Sequence, residues 1–183
     1  VSWVSGSSSI YQNTSGTSMS ARIFDNTGSA VGTEIAAAGA EPGVNKYETS
    51  VQSLSNDDFV VTWREPNTGI FAQRYNANGD AQGGLITITT GNSGDDPAIA
   101  SLGDGFVMVW DDNSPGGISA QRYSGAGEAI GSKIIVSDSS SGRNPTVTET
   151  DNGFFVAWTD QGGLAGDSST GIGGRLYNAS PGV

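Results

Sequence analysis

Pro97 to Gly131, PAIASLGDGFVMVWDDNSPGGISAQRYSGAGEAIG, holds the unit from which the chain is built. Residues 98–102 form an extended run, GDG turns the chain, and FVMVW alternates large residues in a β-rich run ending at Trp110. The loop DDNSPGG leads into ISAQRY, the turn SGAG follows, and EAIGSKIIV completes a meander of four strands, a to d.

The unit recurs. SVQSLSNDDFVVTWREPNTGIFAQRYNANGDAQGGLITI begins at Ser50, and PTVTETDNGFFVAWTDQGG with GIGGRLYNASPG begins at Pro145. A degraded copy, VSWVS with SMSARIFDNTGSAVGTEI, opens the chain. Trp3, Trp63, Trp110 and Trp158 mark strand b, and Arg22, Arg74, Arg122 and Arg175 are read as marks of strand c. The period is about 50 residues, a supersecondary repeat and not a helical one.

The reading is therefore all-β: four antiparallel repeats, at about 1–41, 42–96, 97–144 and 145–183, forming a single domain. A β-propeller-like radial array of about 14 strands is expected, because the first copy lacks strand a and the last lacks strand d. A two-sheet β-sandwich is the alternative.

Composition narrows the chemistry. The chain of 183 residues has no Cys and no His, which removes disulfides, thiol chemistry, the commonest general base and the commonest transition-metal ligand. Its formal charge of −11 repels a phosphate backbone, so no nucleic acid partner is expected. Apolar runs are only strand-length, so no membrane insertion is expected either. The chain starts within a strand and stops in a turn, features expected of a module cut from a longer polypeptide.

Asp25, Asp57, Asp58, Asp80, Asp104 and Asp151 lie in Asn/Asp/Gly-rich turns and are read as turn formers. Glu65, Asp111, Asp112 and Asp160 instead trail a tryptophan, Asp167 lies further along the last such loop, and Asp95 and Asp96 close the link between copies two and three. In a meander the b-to-c loop and the link to the next copy emerge at one end, so these acids crowd together. Crowded carboxylates repel unless a cation lies among them, and their oxygens suit Ca²⁺, with Asp95, Asp96, Asp111 and Asp112 as the central set. Solvated surface carboxylates are the plain alternative.

The tryptophans end strands of Val, Phe and Met, which reads as core packing between units and not as sugar-stacking platforms. One Arg per copy reads as a structural pair or an aromatic stack. In the long first loop Ile10 and Tyr11 form either a satellite cluster or a ligand surface. Tyr11, Asn13, Asp112 and Asn113 are the candidate ligand contacts.

DGFVMVWDD with ISAQRYSGAGEAIG, and its partners NDDFVVTW with IFAQRYNANGDAQGG and NGFFVAW with IGGRLYNASPG, resemble the tandem DGGFVVTW...AQRYDANG repeats of very large secreted, calcium-dependent RTX-type bacterial adhesins. The resemblance implies an extracellular, calcium-loaded, monomeric module that recognises a cell-surface peptide, protein or glycan. Two departures stand out, ARIF in the first copy and GRLY in the last. The expectation is a ligand-binding adhesion module and not an enzyme. A spacer without its own ligand is the alternative, and a glycoside hydrolase, for which Asp112 with Asp160 is the candidate pair, is the third reading.

Overall fold

A computed structural model describes residues 2–5, 18–25, 27–37, 44–55, 57–114, 116–137, 140–162 and 170–178. These residues contain no helix, and so none long and apolar enough to cross a membrane. They form antiparallel sheets. Sheet I is β1 (Ser2–Ser5), β2 (Ser18–Phe24) and β3 (Ala30–Ala37), and sheet II is β4 (Tyr47–Ser53), β5 (Phe59–Glu65), β6 (Gly69–Tyr75) and β7 (Ala81–Thr87). Sheet III is β8 (Gly94–Leu102), β9 (Gly105–Asp112), β10 (Ile118–Tyr123) and β11 (Ala129–Ser137). Sheet IV is β12 (Gly142–Thr150), β13 (Gly153–Asp160) and β14 (Gly171–Asn178). Four sheets, not two, accommodate the repeats.

The sheets pack in chain order, with β4, β8 and β12 as the shared seam. That placement explains why β9, GFVMVWDD, is buried along its whole length instead of alternating. Both its faces are covered, so period-two patterning gives way to a continuous apolar run. Phe106, Met108 and Trp110 face sheet II, meeting Val60, Ile70 and Ala72. Val107 and Val109 face sheet IV, meeting Phe154, Val156 and Trp158. The outer strand β11 is mostly exposed. Each core thus lies between two sheets, with Trp63, Trp110 and Trp158 all buried in it.

Sheet IV presents its far face outward, with Ile172 at 72% and Leu176 at 61% exposure, while Ile118 on the matching face of sheet III is fully buried. No substantial packing joins sheet I to sheet IV among the described residues.

Turn chemistry follows the sequence. The Asp25 carboxylate accepts the N–H groups of Thr27 and Ser29, each at 2.9 Å. The Asn76 side-chain oxygen accepts those of Asn78 and Asp80 at the same distance. Such local bonds close a c-to-d turn without other support.

The register corrects one alignment. Strand c is paired so that Phe59 stacks on Tyr75, Phe106 on Tyr123 and Phe154 on Tyr177, with ring centroids 5.3, 5.0 and 4.9 Å apart. One residue earlier, Arg74 faces Val60 and Arg122 faces Val107, but Leu176 faces Phe155. Arg175 therefore occupies the position of Gln121, as Arg22 does in sheet I, where Ile23 holds the arginine site. The arginine repeat is two-fold and not four-fold. Arg74 pairs with Asp58 at 3.3 Å, so that aspartate serves a salt bridge besides its turn.

Close packing in sheet IV depends on Gly173. A Cβ there would lie 2.3 Å from Trp158 Cε2, within the indole ring. Gly173→Ala should therefore displace the ring and destabilise the protein by about 1–3 kcal/mol, the range for overpacking a filled core. Urea denaturation monitored by tryptophan fluorescence would check this, and an unchanged midpoint would show that Trp158 is free to move aside.

Candidate functional site

Each seam strand carries a bulge where its pairing with strand b slips: between Tyr47 and Ser50, between Asp95 and Ala98, and between Arg143 and Thr146. At the same place in each bulge the backbone turns left-handed, at Glu48 (φ 54°), Asp96 (φ 48°) and Asn144 (φ 49°). Asn and Asp tolerate that conformation, whereas Glu at positive φ is strained and must be held by its surroundings. The bulges turn all three side chains toward one another. Asn144 Nδ2 donates to Asp96 Oδ2 at 3.1 Å, and the Asp96 N–H donates to Glu48 Oε2 at 2.9 Å, each link spanning 48 residues. With Thr49, Pro97 and Pro145 they line an open depression of about 270 Å³ at the seam.

The electrostatics are set by burial among like charges. Partial burial, and then the neighbouring Asp95, raise the Asp96 carboxyl. Burial raises Glu48 as well, opposed first by the hydrogen bond from the Asp96 N–H and then by Arg64, while the Asp96 and Asp95 charges add to the rise. Asp111 is pushed up to about 6, first by burial and then by Asp95, Asp96 and Asp112, against the pull of Arg143. Glu48 and Asp96, the raised carboxyls that line the depression, can exchange protons with a bound molecule.

The trailing acids share one end of the protein, as their connectivity predicts: Asp95 is the Cα partner of Asp111, and Gly94 that of Asp112. Their repulsion is answered by side-chain cations. Asp95 pairs with Arg64 and accepts Asn113 Nδ2 at 2.9 Å. Asp111 lies 3.4 Å from Arg143, and Asp112 lies 2.7 Å from Lys133 while accepting Ser119 Oγ at the same distance. Glu65 takes Lys46 at 3.2 Å and the Trp63 indole N–H at 3.1 Å. Asp160 is buried and accepts the Gly162 N–H. Tyr11, Asn13 and Asp167 lie outside the described residues.

A calcium ion takes six to eight oxygen ligands, backbone carbonyls and waters among them. Here the carboxylates of the central set already face arginine, lysine or amide donors, and no group of three or more acidic side chains among the described residues is placed to hold a metal. Glu48 and Asn144 were not singled out by composition, because one is a lone acid and the other an amide. The signal that would have found them is positional: both fall one repeat away from Asp96.

No family model matches the chain, and no curated protein matches it. Solved structures do. A protein of unknown function from Dyadobacter fermentans matches with a TM-score of 0.63 at 17% identity over 87% of this chain, which spans only 45% of that one. An endo-arabinase from Bacteroides thetaiotaomicron matches with a TM-score of 0.51 at 14% identity, over 92% of this chain and 68% of its own. A thermostable family-43 glycoside hydrolase matches with a TM-score of 0.50 at 12% identity, over 94% and 75%. At these identities the likeness is one of fold. It corrects the expectation of an adhesion module: two of the structures that share this fold are an endo-arabinase and a family-43 glycoside hydrolase.

Proposed function

We propose that the chain forms the blades of a propeller-type module that cleaves a glycosidic bond at the seam depression, with Glu48 and Asp96 as its working carboxyl pair. The observation that carries this reading is the geometry of the bulges. Equivalent positions of β4 and β8 present two carboxyl groups to the same open depression, linked through the Asp96 N–H. Two carboxyls of unequal proton affinity are what glycoside hydrolysis requires. Burial raises both. In this reading Glu48 donates the proton to the leaving oxygen as the C–O bond breaks, and Asp96, held by Asn144, takes the proton of the attacking water. The fold likeness to an endo-arabinase and a family-43 hydrolase supports the choice of a glycan. The extracellular setting implied by the repeat resemblance belongs to the same reading, since long polysaccharides are met there.

The test is release of reducing ends from a polysaccharide panel that includes arabinan. The wild-type protein should release them, and Glu48→Gln and Asp96→Asn should each lower the rate by about 10²-fold or more, the contribution of a positioned acid or base. A folded wild-type protein inert on the whole panel, or variants as active as wild type, would end the proposal.

A further inference from the structure

A second cavity, of about 260 Å³, opens between sheets II and III on the link from β7 to β8. Thr89 and Ser93 of that link, Trp110 and Asp112 of β9, Ser114 beyond it and Lys133 of β11 line it. What distinguishes the cavity is a donor without an acceptor. Trp110 is 2% exposed and its Nε1–H has no hydrogen-bond partner. The Cδ1 edge beside that nitrogen lies against Gly94, next to Thr89, on the cavity side.

Comparison between repeats explains the orphan. In sheet II the residue two beyond the tryptophan is Glu65, whose longer side chain folds back to accept the Trp63 N–H at 3.1 Å. In sheet III the same place holds Asp112, one methylene shorter, and its carboxylate turns to Ser119, Lys133 and the Ser114 N–H instead. Sheet IV repeats the substitution, with Asp160 bound to the Gly162 N–H and the Trp158 indole unpartnered. A buried N–H left unpaired destabilises the fold. At Trp110 that deficit borders a polar cavity in which an incoming oxygen would relieve it.

We propose that this cavity binds one neutral sugar residue, a hydroxyl of which accepts the Trp110 N–H while a second donates to Asp112. The charge pattern selects that class. An anion would meet the buried Asp112 carboxylate in a protein of net charge −11. A cation would meet Lys133 and an N–H that can only donate. A neutral polyol offers both donor and acceptor, and hydroxyls of Ser93 and Ser114 can complete its bonding. The site is separate from the seam depression and does not depend on hydrolysis occurring there.

The four tryptophans give four indole N–H resonances in a ¹⁵N-labelled sample, and Trp110→Phe identifies the relevant one. Titration with arabinose, xylose, glucose and galactose in turn should shift the Trp110 resonance saturably with at least one sugar, while that of Trp63 stays in place. Asp112→Glu, which supplies the internal acceptor found in sheet II, should weaken that binding by about 10-fold or more, in line with the loss of one buried hydrogen bond. Lys133→Met, which leaves the indole untouched, should shift the apparent Kd severalfold. A Trp110 resonance that ignores all four sugars, or a shift that persists at full affinity in folded Asp112→Glu, would overturn the proposal and leave the cavity to solvent.

Discussion

Glu65→Ala should destabilise the protein by about 1–3 kcal/mol, the range for withdrawing the acceptor from a buried donor. Lys46 is among the most buried side chains in the protein, at 2% exposure, and the Glu65 carboxylate stands 3.2 Å from its ammonium. Alanine withdraws that carboxylate and at the same time strips the Trp63 indole of its acceptor at 3.1 Å. Both losses leave polar groups in the joint between sheets I and II, where Val61, Trp63, Phe71 and Tyr75 exclude water. Glu65→Gln should fall between wild type and Glu65→Ala, because the amide oxygen still accepts the indole N–H but no longer balances the charge. Urea denaturation of the three proteins at one pH would read the order, and a cost below about 1 kcal/mol for Glu65→Ala would mean that Lys46 draws its compensation elsewhere.

The same residue shows where the sequence was readable. A run such as FVMVW between Gly-rich turns, recurring with its tryptophan, is legible as a strand but not as one buried on both faces, and the 3-4-4-3 arrangement of strands among the described residues follows from which copies lack a or d. The clustering of Asp95 with Asp111 followed from connectivity alone. What charge counting could not reveal was the partner of each acid. Arg64 reaches forward to Asp95 of the next sheet, Arg143 reaches back to Asp111, and Lys133 comes from the outermost strand of its own sheet. Those pairs are long-range in sequence, so counting acids could not reveal the cations of the same chain that face them. The seam trio was hidden for a different reason. Glu48, Asp96 and Asn144 differ in type, and what they share is a bulge, a backbone feature without a fixed residue signature. Strand c misled through spelling: GRLY beside AQRY suggests one arginine site, yet the Phe154–Tyr177 stack sets the register and moves Arg175 by one position.

Acidification from pH 7.5 to 5 should stabilise this protein, against the usual direction for a chain so rich in carboxylates. Asp111 has its carboxyl raised from 3.8 to about 6 in the folded state, by burial first and neighbouring aspartates second. Between those two values the folded protein holds a proton that the unfolded chain has lost. Stability therefore falls as pH rises through this window, and above it the folded state carries the whole penalty, on the order of 3 kcal/mol. Glu48 and Asp96 are raised as well and act with the same sign. Asp25 is lowered from 3.8 by its bonds to Thr27 and Ser29, so its stabilising contribution is lost only at lower pH, below the window that matters. Asp111→Asn separates this group from the rest. Its amide cannot ionise, yet its oxygen can still accept from Arg143, which sits 3.4 Å from the native carboxylate. The variant should exceed wild type by more at pH 7.5 than at pH 5 and converge with it only toward pH 4, so that the slope of urea midpoint against pH flattens. A wild-type midpoint that drops steadily on acidification, or an Asp111→Asn protein weaker than wild type at pH 7.5, would show that Arg143 outweighs burial and that the carboxylate is ionised in the fold.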